Sequence, residues 1–333
     1  MFLKIASPSI SLPLSYLFNL SFQTGIVPHQ WKNANIVPIP KVPCPSSPSD
    51  FRPISLTPII SRLFERVVVK TNIYTLFFNP TLAALFSDQY AFRPFGSTDA
   101  AIISIIHHVT SLLSDGNSYV RLIGLDFSKA FDTVKHSCIL SKLSSLPISD
   151  QLYNWLVNYF QGHSHTTRFN STTSSTAKIN ASVFQGSAIG PSLFVINGID
   201  LKPVHKENYI DKYADDSYLI TSSKSEHTVD DELKSIEQWA LRNNLSLNKG
   251  KSVEIIIYPT DRAKKQAPIV RSLTNINRSS SIKILGVTFN DNLSVSQHVS
   301  EITHSAAQAL YALKLLKAHG LAQILLELVC KAT

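Results

Sequence analysis

Asp215 and Asp216 are adjacent carboxylates, and a third, Asp126, ends an apolar run far earlier in the chain. Hard divalent cations such as Mg²⁺ take carboxylate oxygens and keep positions open for phosphate. A two-metal centre needs carboxylates from separate backbone elements, converging on ions about 4 Å apart. A strand-end Asp facing a turn Asp-Asp is one simple way to build that. Taken alone, an Asp-Asp pair reads as a solvated turn, since Asp is a common turn residue. Asp132 and Asp211 carry that same reading and are not promoted.

Elements must bring these residues together. Tyr119 to Phe127 reads as a strand, rich in Val120, Leu122, Ile123 and Leu125, with Asp126 at its end. Asn208–Tyr213 and Ser217–Ile220 read as two short strands, with Ala214-Asp215-Asp216 as the hairpin tip between them. Residues 1–50 are rich in Pro and Ser and read as an extended segment. Ile59, Ile60, Leu63 and Val67 fit a helical apolar face. Ser97-Thr98 caps a second helix running through Ile102, Ile105/Ile106, Val109 and Leu112/Leu113. Leu152, Trp155, Leu156 and Tyr159 mark a third helix, and Val229, Leu233, Ile236 and Ala240 a fourth. Val299, Ile302, Ala306, Leu310 and Leu313 mark the last. Ser164–Thr176 reads as loop or hairpin, and Val253–Tyr258 and Ile282–Phe289 as strands. Without a regular βαβ alternation, the order predicts an α+β fold rather than a doubly wound sheet.

Composition sets the bounds. Of 333 residues, 44% are apolar and 16% charged, which is enough to build a core and excludes global disorder. A net charge of +8 permits a polyanionic partner. Three scattered cysteines, Cys44, Cys138 and Cys330, form neither a zinc spacing nor a disulfide framework, so a reducing, intracellular setting (cytoplasmic or nuclear) is expected. The apolar start, Met1–Phe22, has only Lys4 as its basic region and is broken by Pro8 and Pro13, so neither a signal peptide nor a membrane span is expected.

The carboxylates sit inside a longer ordered set. Trp31-Lys32 with Ile36-Val37-Pro38-Ile39-Pro40-Lys41 comes first, then Asp50-Phe51-Arg52-Pro53-Ile54-Ser55-Leu56, then Gln89-Tyr90-Ala91-Phe92-Arg93-Pro94 with Ser97-Thr98. Leu125-Asp126-Phe127-Ser128-Lys129-Ala130-Phe131-Asp132, Gln185-Gly186-Ser187 with Gly190-Pro191-Ser192-Leu193-Phe194, and Tyr213-Ala214-Asp215-Asp216 follow. Asn248–Ser252 and Leu285-Gly286-Val287 complete it. In this order the set resembles the reverse transcriptases of non-LTR (LINE-type) retrotransposons, over residues 20–316. Phe184 before Gln185, Phe95-Gly96 after Pro94, and Asn197-Gly198-Ile199-Asp200-Leu201 depart from the family pattern without removing a carboxylate.

The resemblance implies a right-hand polymerase: a ferredoxin-like palm sheet with helices packed on one face, plus fingers, with the thumb truncated or absent. Residues 1–50 would lead into fingers at 51–115, a palm at 116–290 (part of the fingers inserted) and the start of a thumb at 291–333. Nothing before residue 20 would hold an endonuclease domain. It implies RNA-directed DNA polymerase activity, with RNA template, DNA primer and dNTPs as partners and two Mg²⁺ ions, replaceable by Mn²⁺, on Asp126, Asp215 and Asp216. Phe131 would exclude a 2′-hydroxyl, with a core aromatic as the plain alternative. Gln185 and Gly186 would meet the incoming nucleotide, with Phe127 and Tyr213 in the same contacting set. Arg52, Arg62 and Arg93 would contact triphosphate or template, or serve structure. Lys251 would act as general acid toward pyrophosphate, against a solvated lysine. An inactive, truncated remnant that keeps the fold and some nucleic-acid binding is the competing expectation. A nucleotidyl cyclase would have no purpose for the Gln-Gly-Ser and Phe-Arg-Pro segments.

Overall fold

The computed structural model describes residues 5–128 and 130–332; Lys4 and Lys129 of the segments above lie outside the described residues. The chain runs α1 (Ser7–Thr24), β1 (Asn33–Pro40), β2 (Phe51–Leu56), α2 (Ile59–Val68), α3 (Thr98–Ser114), β3 (Val120–Leu125), α4 (His136–Ser144) and α5 (Asp150–Phe160). It continues through β4 (Ser164–Phe169), α6 (Gly190–Asn197), β5 (Tyr209–Tyr213), β6 (Asp216–Ser222), α7 (Val229–Arg242), β7 (Val253–Ile257) and β8 (Asn277–Arg278). A hairpin β9 (Ser281–Ile284) and β10 (Val287–Asn290), then α8 (Ser296–Ala318) and α9 (Gln323–Ala332), close it. The mixed α+β class is as expected.

The central sheet has the strand order β8-β7-β3-β6-β5, antiparallel except between β7 and β8. Its β-α-β-β-α-β path through β3, β5, β6 and β7 is the ferredoxin-like arrangement. Ile123, Leu125, Ile210 and Leu219 point from one face into a cluster with Ile139, Leu193, Ile236 and Trp239 of α4, α6 and α7. From the other face Val120, Leu122, Ile220, Ile255 and Ile257 meet Ile105, Val109 and Leu112 of α3. Helices therefore cover both faces, not one. That is why these strands read as nearly unbroken apolar runs rather than alternating ones.

A second sheet, β2-β1-β4, is antiparallel between β1 and β2 and parallel between β1 and β4, with two-residue strands at Thr172–Thr173 and Ala177–Lys178 added to β4. Ser164–Thr176 is thus a hairpin. Residues 1–50 are not extended throughout. Pro8 sits in the first turn of α1, where its missing N–H costs nothing. Phe18 of α1 stacks on Phe64 of α2 at 4.6 Å and meets Trp31 edge-on at 6.0 Å. That burial outweighs the proline signal. The α2 helix forms where predicted, but Ile59, Leu63 and Val67 are exposed, while Ser61, Phe64, Glu65 and Val68 are buried. Ile282–Phe289 is a hairpin rather than one strand: Leu285 (φ 46) and Gly286 (φ 97) take left-handed backbone and turn the chain. α3 and α5 form as expected, with Ser97 Oγ accepting the Ala100 N–H at 3.0 Å and Leu152, Trp155, Leu156 and Tyr159 all buried. In α8, Val299, Ile302 and Leu310 are all exposed. Among the described residues no helix is long and apolar enough to cross a membrane.

Candidate active site

Leu125 is the last residue of β3 and pairs with Ser217 of β6. Asp126 lies one residue past β3 and Asp216 precedes Ser217, so the two continue a pairing between strands that lie about 4.8 Å apart in a sheet. Tyr213 pairs with Asp216 and closes a two-residue turn of Ala214-Asp215. Asp216 is therefore the first residue of a strand rather than part of the tip. Ala214 adopts φ 57, a left-handed conformation that a non-glycine residue holds only under constraint. The sheet thus brings Asp126, Asp215 and Asp216 to one end, although the chain separates them widely.

The Asp126 backbone is fixed by a later segment. Its carbonyl accepts the Asn248 N–H at 2.8 Å, and its N–H donates to Ser252 Oγ at 3.2 Å. Ser252 Oγ in turn donates to the Asn248 carbonyl at 2.9 Å. This carries the exposed Lys251 to the rim of a ≈ 340 Å³ cavity that Asp126 and Asp216 also line.

Electrostatics mark the place. Withdrawal from water pushes the Asp215 carboxyl up; its own backbone N–H opposes this in part, and the Asp126 charge adds to it. Asp216 is pushed up to about 6, first by loss of water and then by the charges of Asp215 and Asp126. Among the described residues no Lys, Arg or His forms an ion pair with any of the three. Nor, among those residues, are three His, Cys, Asp or Glu side chains already drawn together as a cage. Three oxygen-donor acids meet at one sheet end, two of them lining the same cavity, their charges disfavour one another, and none is ion-paired among the described residues. That donor set suits a hard divalent ion and not a soft or nitrogen-seeking one.

The neighbouring segments interlock. Gln185 Nε2 donates to Asp132 Oδ1 at 2.9 Å, and the Gln185 carbonyl accepts the Ser55 N–H at 2.7 Å. Gly186 sits at φ 122, and a Cβ there would lie 2.2 Å from the Ser55 carbonyl oxygen. Only glycine allows that approach. Phe131 is half-buried and stacks on Phe194 at 4.2 Å, with Phe92 edge-on at 6.4 Å. Arg52 is exposed on β2 and Arg62 half-buried on α2, and neither is in an ion pair among the described residues. Tyr213 is half-buried beside the turn. The Phe127 ring is 7% exposed and packs edge-on to Trp239 at 5.8 Å. The half-buried Arg93 donates from its guanidinium to the Phe86 carbonyl.

The sequence reading assigned no role to Glu65, which is 1% exposed. Its carboxylate accepts the Ser61 hydroxyl at 2.9 Å and the N–H groups of Ala188 and Ile189 at 2.6 and 3.2 Å, just before α6. Burial pushes its carboxyl up despite these donors. The only signal in the sequence is a charged residue inside an apolar helical stretch.

A ferredoxin-like sheet carrying acids at one end, accompanied by a second sheet, is consistent with the palm and fingers of the reverse transcriptase fold. The chain belongs to the reverse transcriptase (RNA-dependent DNA polymerase) family, whose model matches residues 39–289. It is 27% identical over 310 residues to the probable RNA-directed DNA polymerase from transposon X-element of Drosophila melanogaster, covering 90% of this chain and 33% of that protein. It is also 27% identical to the RNA-directed DNA polymerase from mobile element jockey of Drosophila funebris, covering 88% and 33%. The chain thus spans about a third of the length of the curated relatives it matches. Among solved structures, apo telomerase from Candida tropicalis, truncated from its C-terminal domain, superposes with a TM-score of 0.53 at 15% identity, covering 86% of this chain and 59% of that one. That likeness shows the fold.

Proposed function

We propose that this chain is the fingers and palm of a non-LTR retrotransposon RNA-directed DNA polymerase, extending a DNA primer on an RNA template. The observation that carries the reading is the convergence of Asp126, Asp215 and Asp216 at one sheet end with no ion-pair partner among the described residues. Mg²⁺ ions held there, with Mn²⁺ as substitute, would offset the negative charge of the triphosphate and lower the pKa of the attacking hydroxyl. Asp126 and Asp215 are the principal ligands and Asp216 the weaker one. The primer 3′-hydroxyl oxygen bonds to the α-phosphorus of a dNTP, the bond to pyrophosphate breaks, and the hydroxyl proton passes to solvent water. Lys251, on the same cavity rim, supplies a proton to the departing pyrophosphate. Phe131, braced by Phe194, excludes a 2′-hydroxyl. Gln185, held by Asp132, and Gly186, against Ser55, present backbone to the nucleotide, with Tyr213 beside it. Arg52 and Arg62 take phosphate, for which a forked guanidinium is suited.

The division follows: an N-terminal segment, 1–50; fingers, 51–115 together with the β4 hairpin; a palm, 116–290; and helices at 291–333 toward a thumb. Primer extension on poly(rA)/oligo(dT) with Mg²⁺ or Mn²⁺ tests the reading. Extension by this chain and none by Asp215→Ala supports it. No extension by either, with primer–template still bound, would replace it with an inactive fold that retains nucleic-acid binding.

A further inference from the structure

Strand β5 is an edge of the central sheet, and the segment Asp88–Tyr90 lies along it. The Lys212 N–H donates to the Asp88 carbonyl at 2.7 Å and the Tyr90 N–H to the Lys212 carbonyl at 2.9 Å. Between them Gln89 is 3% exposed. Its Oε1 accepts two backbone protons, from Ala91 N–H at 2.9 Å and from Ala214 N–H at 3.1 Å. Ala214 is the left-handed residue immediately before Asp215. The pair Tyr213–Asp216 closes the hairpin and leaves the Ala214 N–H outside the ladder. Gln89 also lines a space of ≈ 10 Å³ together with Ala214 and Asp215.

Resting on the polymerase reading, we propose that Gln89 is the positioning residue of the catalytic turn: its side-chain oxygen holds the strained Ala214 backbone and thereby aims Asp215. A left-handed alanine persists only where its surroundings over-determine it. Among the described residues, the hydrogen bond that reaches the Ala214 N–H from outside the hairpin comes from one amide oxygen, supplied by a segment more than a hundred residues earlier. Without it a half-buried N–H loses its partner, and the turn is free to relax toward right-handed backbone.

The test uses the full chain, free of metal, and Gln89→Met, which keeps side-chain length and removes the acceptor. Hydrogen exchange of the peptide spanning Tyr213–Asp216 is expected to speed roughly tenfold at Ala214, the factor carried by one net hydrogen bond. The affinity for Mn²⁺, read by electron paramagnetic resonance without nucleic acid, is expected to weaken severalfold. Asn117→Ala, which removes a buried side chain bonded to the Leu112 carbonyl at 2.8 Å, serves as a generally destabilised control and is expected to change neither readout. If Gln89→Met fails to fold, Gln89→Asn, one methylene too short to reach Ala214, is measured in its place. Unchanged exchange at Ala214, equal acceleration in Asn117→Ala, or faster exchange with unaltered Mn²⁺ affinity would each overturn the assignment. A native chain that binds no Mn²⁺ sinks the polymerase reading, while the exchange arm still decides the role of Gln89.

Discussion

Replacing Asp216 by Asn is expected to stabilise the metal-free protein at neutral pH. In the fold, loss of water and the charges of Asp215 and Asp126 raise this carboxyl from 3.8 to about 6. A carboxyl with a raised folded pKa binds its proton more tightly when folded than when unfolded. Stability from this group is therefore greatest below pH 4 and is lost as pH rises through about 6. At 1.36 kcal/mol per pH unit the ceiling is about 3 kcal/mol. Asp216 is exposed, so solvent screening reduces the expectation to ~1 kcal/mol. Urea unfolding in a chelator at pH 4 and pH 8 reads it. Asp216→Asn should exceed the native chain by ~1 kcal/mol at pH 8 and match it near pH 4. Buried His163, pushed down to about 4 by burial, contributes stability that is lost as pH falls from 6.5 to 4. That trend opposes the one from Asp216, so the difference between the two chains is the quantity to follow. Adding Mg²⁺ should erase the variant's advantage. An Asp216→Asn protein no more stable than the native chain at pH 8 would refute the claim that the carboxylates strain one another.

Other outcomes follow from single contacts. Arg121 is fully buried and pairs with Glu254, also fully buried, and with Glu226; Arg121→Met leaves Glu254 with Arg278 at 2.8 Å as its remaining ion-pair partner and should cost less than the about 3–5 kcal/mol of a wholly unpaired buried charge by urea unfolding, whereas a loss below about 1 kcal/mol would show the pair to be dispensable. Gly186→Ala drives a Cβ into the Ser55 carbonyl and should raise the KM for dNTP more than it lowers primer–template affinity, as steady-state extension against filter binding would show. Phe131→Val removes the ring braced by Phe194 and should admit rNTPs about 10–100-fold better, the range worth ~1–3 kcal/mol of steric discrimination; unchanged rNTP exclusion would make Phe131 a core residue only.

Local chemistry made part of this protein legible without coordinates. Ser97 capped its helix because a side-chain oxygen next to an apolar repeat is a local signal. Trp155 and Tyr159 fell on the buried face of their helix for the same kind of reason. The motif order carried the family. Where distant contacts outbid local preference, the reading failed. Proline-rich residues 7–24 form a helix because Phe18 finds Phe64. The buried face of α2 is the one holding Glu65, because that carboxylate has backbone donors waiting near α6.

The amino-acid sequence alone determined which acids are present, that strands deliver Asp126 and the Asp215-Asp216 pair, and which family arranges them so. Tertiary structure alone decided that β3 and β6 are neighbours in a register that sets Asp126 beside Asp216. It also packed Phe127 against Trp239, tied Arg93 to the Phe86 carbonyl and set Gln89 against the turn. The division has a physical cause: propensity and periodicity act over a few residues, whereas register, strand neighbourhood and the partner of a buried polar group are fixed by packing among segments a hundred residues apart.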